Sequence, residues 1–351
     1  MAETILGMIP QEEWLDVGFN VTRPNDPLDS IIGDKRTDNI MAAWQSIASE
    51  YQVPVMAYFH AFDAESRKTF RVPIDTHHIE KGLIKVKINQ SERIQALLRS
   101  GVREDALTDY VLDDGIRLAD QVVTRSKVAK AEMLATGQVT IKENNLDLPV
   151  EYGVPADQID IELDLDEAAD LAGQFQDIKD KAAEKGVTLT GLLTSGAMIT
   201  KMRKNKSIQG LVNGALMQGQ LVRQADFRAF LEDEYGIGSI ITDDLTYAVE
   251  DGFDETGRPK VKMHRYYPKD KVSFFAANPG GRIGTCLWGD PPETRLAGFY
   301  PVNASGESPF VYVTQKMEWD PAVLWTKASG LCMPLLYNPG GLWIAKEKNS
   351  P

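Results

Sequence analysis

Residues Glu104–Ile141 read EDALTDYVLDDGIRLADQVVTRSKVAKAEMLATGQVTI, and the pattern predicts one long helix that runs straight into a strand. Apolar or small residues return at Leu107, Val111, Gly115, Leu118, Val122, Ser126, Ala129 and Met133, in steps of four and three that keep one face inward. Leu112, Ile116, Ala119 and Val123 widen the stripe over the first turns. Charge follows the helix dipole: Glu104, Asp105 and Asp109 open the helix, and Arg125, Lys127 and Lys130 lie near its end. Thr136-Gly137 supplies the stop, with Gly137 free to take the left-handed conformation. Gly115, which costs about 1 kcal/mol against Ala in a helix interior, is the one point where continuity is in question. Unbroken, a helix over 104–136 is roughly 50 Å long at 1.5 Å per residue.

The chain has 351 residues, enough for two or three modules. Its 43% apolar and 25% charged content is that of a globular protein. No apolar run approaches the ~18–20 residues of a membrane span, and the opening MAETILGMIPQEEW lacks the basic and apolar regions of a signal peptide. Two cysteines, Cys286 and Cys332, without a CxxC motif, point to a reducing compartment and away from a zinc site or disulfide framework.

Net charge is −13, which speaks against broad neutralisation of phosphates. The distribution says more. Arg67, Lys68, Arg71, Lys81, Lys85, Lys87, Arg93, Arg99 and Arg103 meet only Asp75, Glu80 and Glu92 in the same segment, while the acids between Asp157 and Asp170, among them Asp160, Glu162 and Asp164, have no base among them. A basic segment in an acidic chain binds nucleic acid, or the acidic part of an identical neighbour, or is simply a solvated face.

Residues 1 to about 50 place Ile9, Trp14, Phe19, Ile31, Ile40 and Trp44 among Asn, Asp, Pro and Thr with little periodicity, as in an extended arm that gains order by lying on something else. Residues 53–90 hold short strand-like runs. In the last, LIKVKI, Ile84, Val86 and Ile88 alternate with Lys85 and Lys87. A hairpin this basic is expected to project rather than pack a core of its own. GQVTI and LPVEYGV predict paired strands turning at Glu143–Asn145. Ile159, Ile161, Leu163 and Leu165 alternate with acids, and Asp164 with Glu167 has the form of a capping box that starts a helix. Leu171, Phe175, Ile178 and Ala182 form the inner face of that helix, and Gly186 ends it. From Val187 to about Gly306 strands and helices alternate in a mixed α/β module, with a hairpin from Leu245 to Tyr267 turning at Asp251–Pro259. FVYVT, AVLWT, MPLLY and GLWIA close the chain as short strands. Their residues Val323, Trp325, Leu331, Met333, Leu335, Leu336, Trp343 and Ile344 are too apolar for a free tail and are expected in the core that covers the long helix.

Chemistry is scarce. His77-His78 falls where adjacent strand residues point to opposite faces, so the two do not ligate one metal. No GxSxG, HExxH or phosphate-loop pattern occurs. Gly236-Ile237-Gly238 is a broken dinucleotide fingerprint and reads as a helix cap and turn. Asn278-Pro279-Gly280-Gly281-Arg282 reads as a turn. The acid run lacks the spacing and sharp-turn glycine of a calcium loop. No catalytic, cofactor-binding or metal-binding set is assigned.

The order of parts, together with the stretches Ala131–Ile141 (AEMLATGQVTI), Thr246–Lys271 (TYAVEDGFDETGRPKVKMHRYYPKDK) and Asp320–Leu336 (DPAVLWTKASGLCMPLL), resembles the major capsid proteins of tailed phages, in particular the lambda-type major capsid protein E family. The resemblance covers roughly residues 50–346. It implies an α+β, Hong Kong 97-type fold: residues 1–50 an N-terminal arm, 51–100 an E-loop, 101–186 a peripheral domain with a spine helix at 104–136, 187–306 an axial domain, and 307–351 strands returning to the peripheral domain. It also implies a non-enzymatic protein of the virion, assembled in the host cytoplasm, that joins copies of itself as hexamers and pentamers. Such a shell works with a scaffolding protein, a portal and a decoration protein, and encloses double-stranded DNA without sequence-specific binding, with no cofactor and no membrane. Arg67, Lys68, Arg71, Lys85 and Lys87 on the loop, and Asp160, Glu162 and Asp164 in the acid run, are then candidate inter-subunit contacts. An encapsulin-like cargo compartment on the same fold, and a soluble α/β enzyme with its site in 187–306, are the alternatives. The lambda-type closing stretch argues against the first, and the lack of a coherent acid, base or nucleophile set against the second.

Overall fold

The computed structural model describes residues 26–37, 41–47, 74–90, 104–143, 146–214, 219–255, 258–292, 299–303, 310–320 and 322–348. In chain order the elements are β1 (Ile32–Arg36), β2 (Met41–Ile47), β3 (Ile74–Glu80), β4 (Gly82–Gln90), α1 (Glu104–Thr136), β5 (Gln138–Glu143), β6 (Leu146–Glu151), β7 (Ile161–Leu163), α2 (Leu171–Glu184), β8 (Gly191–Thr194), α3 (Gly196–Lys204), α4 (Lys206–Asn213), α5 (Gln224–Tyr235), β9 (Ser239–Thr242), β10 (Thr246–Phe253), β11 (Pro259–Arg265), β12 (Lys271–Phe275), β13 (Gly284–Gly289), β14 (Phe299–Asn303), β15 (Phe310–Trp319), β16 (Ala322–Leu336) and β17 (Leu342–Glu347). The expected mixture of helix and strand is present. The long helix is continuous through Gly115 over 33 residues, and Gly137 ends it at φ +71°, its N–H donating to the Met133 carbonyl over 2.9 Å.

The chain divides into two compact units. One comprises 1–42, 78–130 and 285–335, and the other 43–77, 131–284 and 336–351.

In the first unit the strand order is β1-β13-β16-β15-β14, with β4 added on β16. β16 is a single 15-residue strand where the sequence suggested two. β4 runs antiparallel to it, with Val86 opposite Ala328 and Ile84 opposite Gly330. The last part of the basic segment is therefore a paired strand of this sheet and does not stand free. Its alternation explains why: Ile84 and Val86 are half-buried while Lys85 and Lys87 are exposed. Leu118, Val122, Ser126 and Ala129 of α1 are buried as the spacing requires. A side chain at Gly330 would come within 2.8 Å of Val122 and 3.1 Å of Trp288, so the glycine permits this close approach of helix and strand.

Residues 26–36 are bound into the same unit. Leu28, Ile31 and Ile32 are buried, and β1 joins β13 at the sheet edge. The arm-like composition of the N-terminal segment concealed this strand, which rests on the chain's own sheet.

The second unit is built on the sheet β7-β17-β12-β8-β9. β17 pairs antiparallel with β12, Phe274 opposite Trp343, and parallel with β7. Helices α2 to α5 pack against it through Leu171, Phe175, Ile178, Met198, Met202, Ile208, Phe227 and Leu231, in one core with Phe274 and Trp343. Phe175 meets Phe274 and Tyr235 edge-on at 5.7 and 5.8 Å. The pairing thus divides the closing strands. Val323 and Leu331 are buried on β16 of the first unit's sheet, whereas Trp343 lies in the α/β core of the second.

The inner face of α2 is as read, but its start is not. Asp170, not Asp164, caps it by accepting from the Gly173 N–H. Asp164 instead accepts from the Asp166 N–H in a local turn. The amide of Gln174 ties down both the N–H and the carbonyl of Asp164, and the buried Asn205 donates to the Asp166 and Ala169 carbonyls. These contacts hold 164–170 as a loop.

Candidate assembly interface

Of the residues singled out for inter-subunit contact, Arg67, Lys68 and Arg71 lie outside the described residues. Lys85 and Lys87 project from β4 on the face of the sheet that also carries Trp325, Lys327 and Lys316, as the register shows: Lys87 stands opposite Lys327, and Trp325 lies between Asn89 and Lys316. The Lys87 ammonium sits 4.2 Å from the centroid of the Trp325 ring, a cation–π contact. The Trp325 indole donates to Glu318 over 3.1 Å. Lys316 pairs with Glu318 on the same face at 3.5 Å.

The acid run is less needy than its composition suggested. Asp160 accepts from Lys271 over 2.9 Å, and Asp164 pairs with Lys348 at 3.3 Å. Asp157 pairs with Lys185, whose ammonium also lies 5.3 Å from the Trp343 ring. The Asp166 N–H, aided by Lys348, holds the Asp164 carboxyl below the usual carboxylate range, and Lys185 does the same for Asp157. Glu162 is exposed on β7. The structure therefore gives Asp160 and Asp164 counter-charge within their own unit. Asp160 has φ +54°, the single positive φ among the described non-glycine residues. Lys271 steadies it while donating to the Ala135 carbonyl at the end of α1. Beside it Ser273 donates to the Leu134 carbonyl and meets the buried Tyr267 hydroxyl.

One feature escaped the sequence reading, a buried ion cluster. Lys130, 1% exposed, lies 2.9 Å from Asp29 and 3.0 Å from Asp34 and donates to the Ile32 carbonyl. Lys127 pairs with Asp26 at 3.0 Å. Burial works against the charge on Lys130, but the carboxylates of Asp34 and Asp29 outweigh it and raise its pKa above the ordinary value. Burial also pushes the Cys286 thiol well up, so the sulfur stays neutral and the two carboxylates hold the ammonium. Further along, Trp288 donates to Asp34, Thr285 to the Gly33 carbonyl, and Arg36 forks onto both oxygens of Asp290 at 2.9 Å. These contacts bind 26–36 to α1 and β13. The hairpin expected from Leu245 to Tyr267 is the pair β10–β11, whose residues are mostly exposed.

Among the described residues no three His, Cys, Asp or Glu side chains are grouped to hold a metal ion, and no helix is long and apolar enough to cross a membrane. The Gly280 and Arg282 N–H groups of the 278–282 turn donate to Asn278, and Gly236 caps α5 in the left-handed conformation, so both glycine motifs serve as turns.

What is concentrated on this chain is surface built for contact, and the comparisons identify its class. The model of the phage major capsid protein E family matches residues 60–347. The chain belongs to that family and is a capsid shell protein of a tailed phage. No curated protein matches it. Similar solved structures include a phage-related protein from Bordetella bronchiseptica RB50 (11% identity, 96% of this chain and 97% of that one, TM-score 0.49). Others are from Mycobacterium phage Adephagia (12%, 94% and 92%, TM-score 0.47) and the mature capsid of bacteriophage PhiM1 (9%, 94% and 89%, TM-score 0.47).

Proposed function

We propose that this capsid protein assembles as hexamers and pentamers, on a Hong Kong 97-type fold, into an icosahedral head shell around double-stranded DNA. The observation that carries the reading is the family match over 60–347. Residues 1–50 supply the N-terminal arm, with β1 on the sheet, and 51–100 the E-loop, rooted by β4. In place of the expected peripheral 101–186 with 307–351 and axial 187–306, the unit containing β13 to β16 serves as the peripheral domain and the α/β unit with β17 as the axial domain. A scaffolding protein, a portal and a decoration protein complete the head, assembly takes place in the host cytoplasm, and the chain itself performs no catalysis. Net charge of −13 suits a wall that contains packaged DNA without binding it. Expression of the chain, alone and with a scaffolding protein, followed by electron microscopy should reveal closed shells with five- and six-fold clusters. Small discrete oligomers under both conditions would overturn the reading.

A further inference from the structure

The strands β10 and β11 form a two-stranded sheet that no other strand joins among the described residues, so each has an open edge there. Ala248 stands opposite Met263 and Glu250 opposite Val261; the register then slips, and Phe253 stands opposite Pro259. Gly252, at φ +76°, sits in the slip. In a regular strand, alternation would place Phe253 on the face of Tyr247 and Val249. The bulge transfers it to the face of Ala248, Pro259, Val261 and Met263, which also carries Glu250. The result is an apolar row of which Phe253 is 75%, Met263 63% and Val261 55% exposed. Isolated two-stranded hairpins are marginal in water, and a bulge that gathers large apolar side chains on an open face favours an interaction surface.

The charges sort by strand. β10 carries Glu250 and Asp251 and no base, whereas β11 carries Lys260, Lys262 and Arg265 and no acid. Arg265 is taken by Asp244, but Glu250, Asp251, Lys260 and Lys262 enter no ion pair among the described residues. A hairpin with one acidic and one basic edge is complementary to a second copy of itself placed alongside. Such head-to-tail contact uses both edges of every copy and closes into a ring when the rotation allows.

We propose that this hairpin is a contact between copies of the chain: the acidic edge of β10 lies against the basic edge of β11 in the next copy, and the row Phe253, Val261, Met263 is covered there. The inference rests on the shell reading and deepens it. Each exposed pair is worth little alone, and repetition around a ring supplies the effect.

The test uses two full-length charge reversals, Lys260→Glu with Lys262→Glu, and Glu250→Lys with Asp251→Lys. Each alone should melt like the parent chain yet associate at least tenfold more weakly at low salt, by sedimentation and shell yield. The two mixed should co-assemble, as read by sedimentation, into even-numbered rings in which acidic and basic hairpins alternate. Phe253→Ser with Met263→Ser should also lower association while leaving the melt unchanged. Parent-level association by either reversal alone, or failure of the mixture, would overturn the hairpin contact while leaving the shell reading intact. Rescue by mixing in a protein whose parent chain forms only small oligomers would uphold the contact and remove the shell.

Discussion

Lys130 shows how much of a site depends on residues far away in sequence. On the helical pattern it is one more cation near the end of α1, a position that ordinarily faces water. Its partner Asp29 lies 101 positions earlier, in a segment whose composition has no periodicity to announce a strand, so nothing local reveals the burial. Truncating a buried, paired cation leaves the carboxylates uncompensated, at a cost of about 3–5 kcal/mol. Lys130→Met should lose stability of that order in urea denaturation, and adding Asp29→Asn and Asp34→Asn should recover a large part of it. A single variant as stable as the parent would show that the cluster is not coupled to folding. The acid limb follows from Asp290: burial opposes its charge, but Tyr312 and Arg36 outweigh burial and hold its carboxyl below the usual range. A carboxyl with a folded-state pKa below its unfolded value of ~3.9 binds more protons when unfolded. Its contribution is complete above that value and is lost as pH falls below about 4. Thermal melts from pH 7 to 2.5 should show this loss, and Asp290→Asn should flatten it. For Lys130 the sign reverses: its raised pKa gives stability that is present below ~10.4 and lost only as pH rises beyond it.

At the scale of elements, period reading found the helix to its last residue and most strands, because α1 and the half-buried strands bury one face each. It failed where tertiary contacts replace local signals. Asp164-x-x-Glu167 has the form of a cap, but Gln174 and Asn205 claim that backbone first. Ala328-Ser329-Gly330 reads as an interruption of β16, though the small residue is what lets Val122 and Trp288 approach. Gly330→Ala should therefore cost about 1–3 kcal/mol through overpacking, seen as a lower denaturation midpoint with an unchanged slope, and an unaffected midpoint would mean that helix and strand separate easily. Lys85 and Lys87 belong to this scale too, since their strand is fixed by Ile84 and Val86 while the lysines lie exposed on the other face. Lys85→Glu with Lys87→Glu should leave the melting temperature within a few degrees of the parent and cut shell yield severalfold. Wild-type shell yield at low and high salt would remove the basic face from the list of contacts.

In the whole molecule neither compact unit is a contiguous stretch of chain. The order of elements was legible because each carries its own pattern, but which sheet a closing strand joins depends on pairings across long intervals, and FVYVT and GLWIA look alike in composition. The outcome is that β17 lies inside the α/β sheet between β7 and β12 and brings Trp343 and Ala345 into its core. Ending the chain at Tyr337 would separate β7 from β12, remove Trp343 from beside Phe274, and expose an edge of Val272 and Phe274 in the middle of the former sheet. Buried side chains of this size contribute ~1.5–3 kcal/mol each, so the loss of Leu342, Trp343, Ile344 and Ala345 together rivals the roughly 5–15 kcal/mol that stabilises an ordinary domain. The 1–337 chain should therefore lack a cooperative thermal transition in the α/β unit and exchange the amides of β8 and β12 rapidly, whereas a chain ending at Lys348 should melt as the full-length protein does. Protected β12 amides in the 1–337 chain would mean that the sheet closes without its last strand, and that Trp343 only decorates a core already complete.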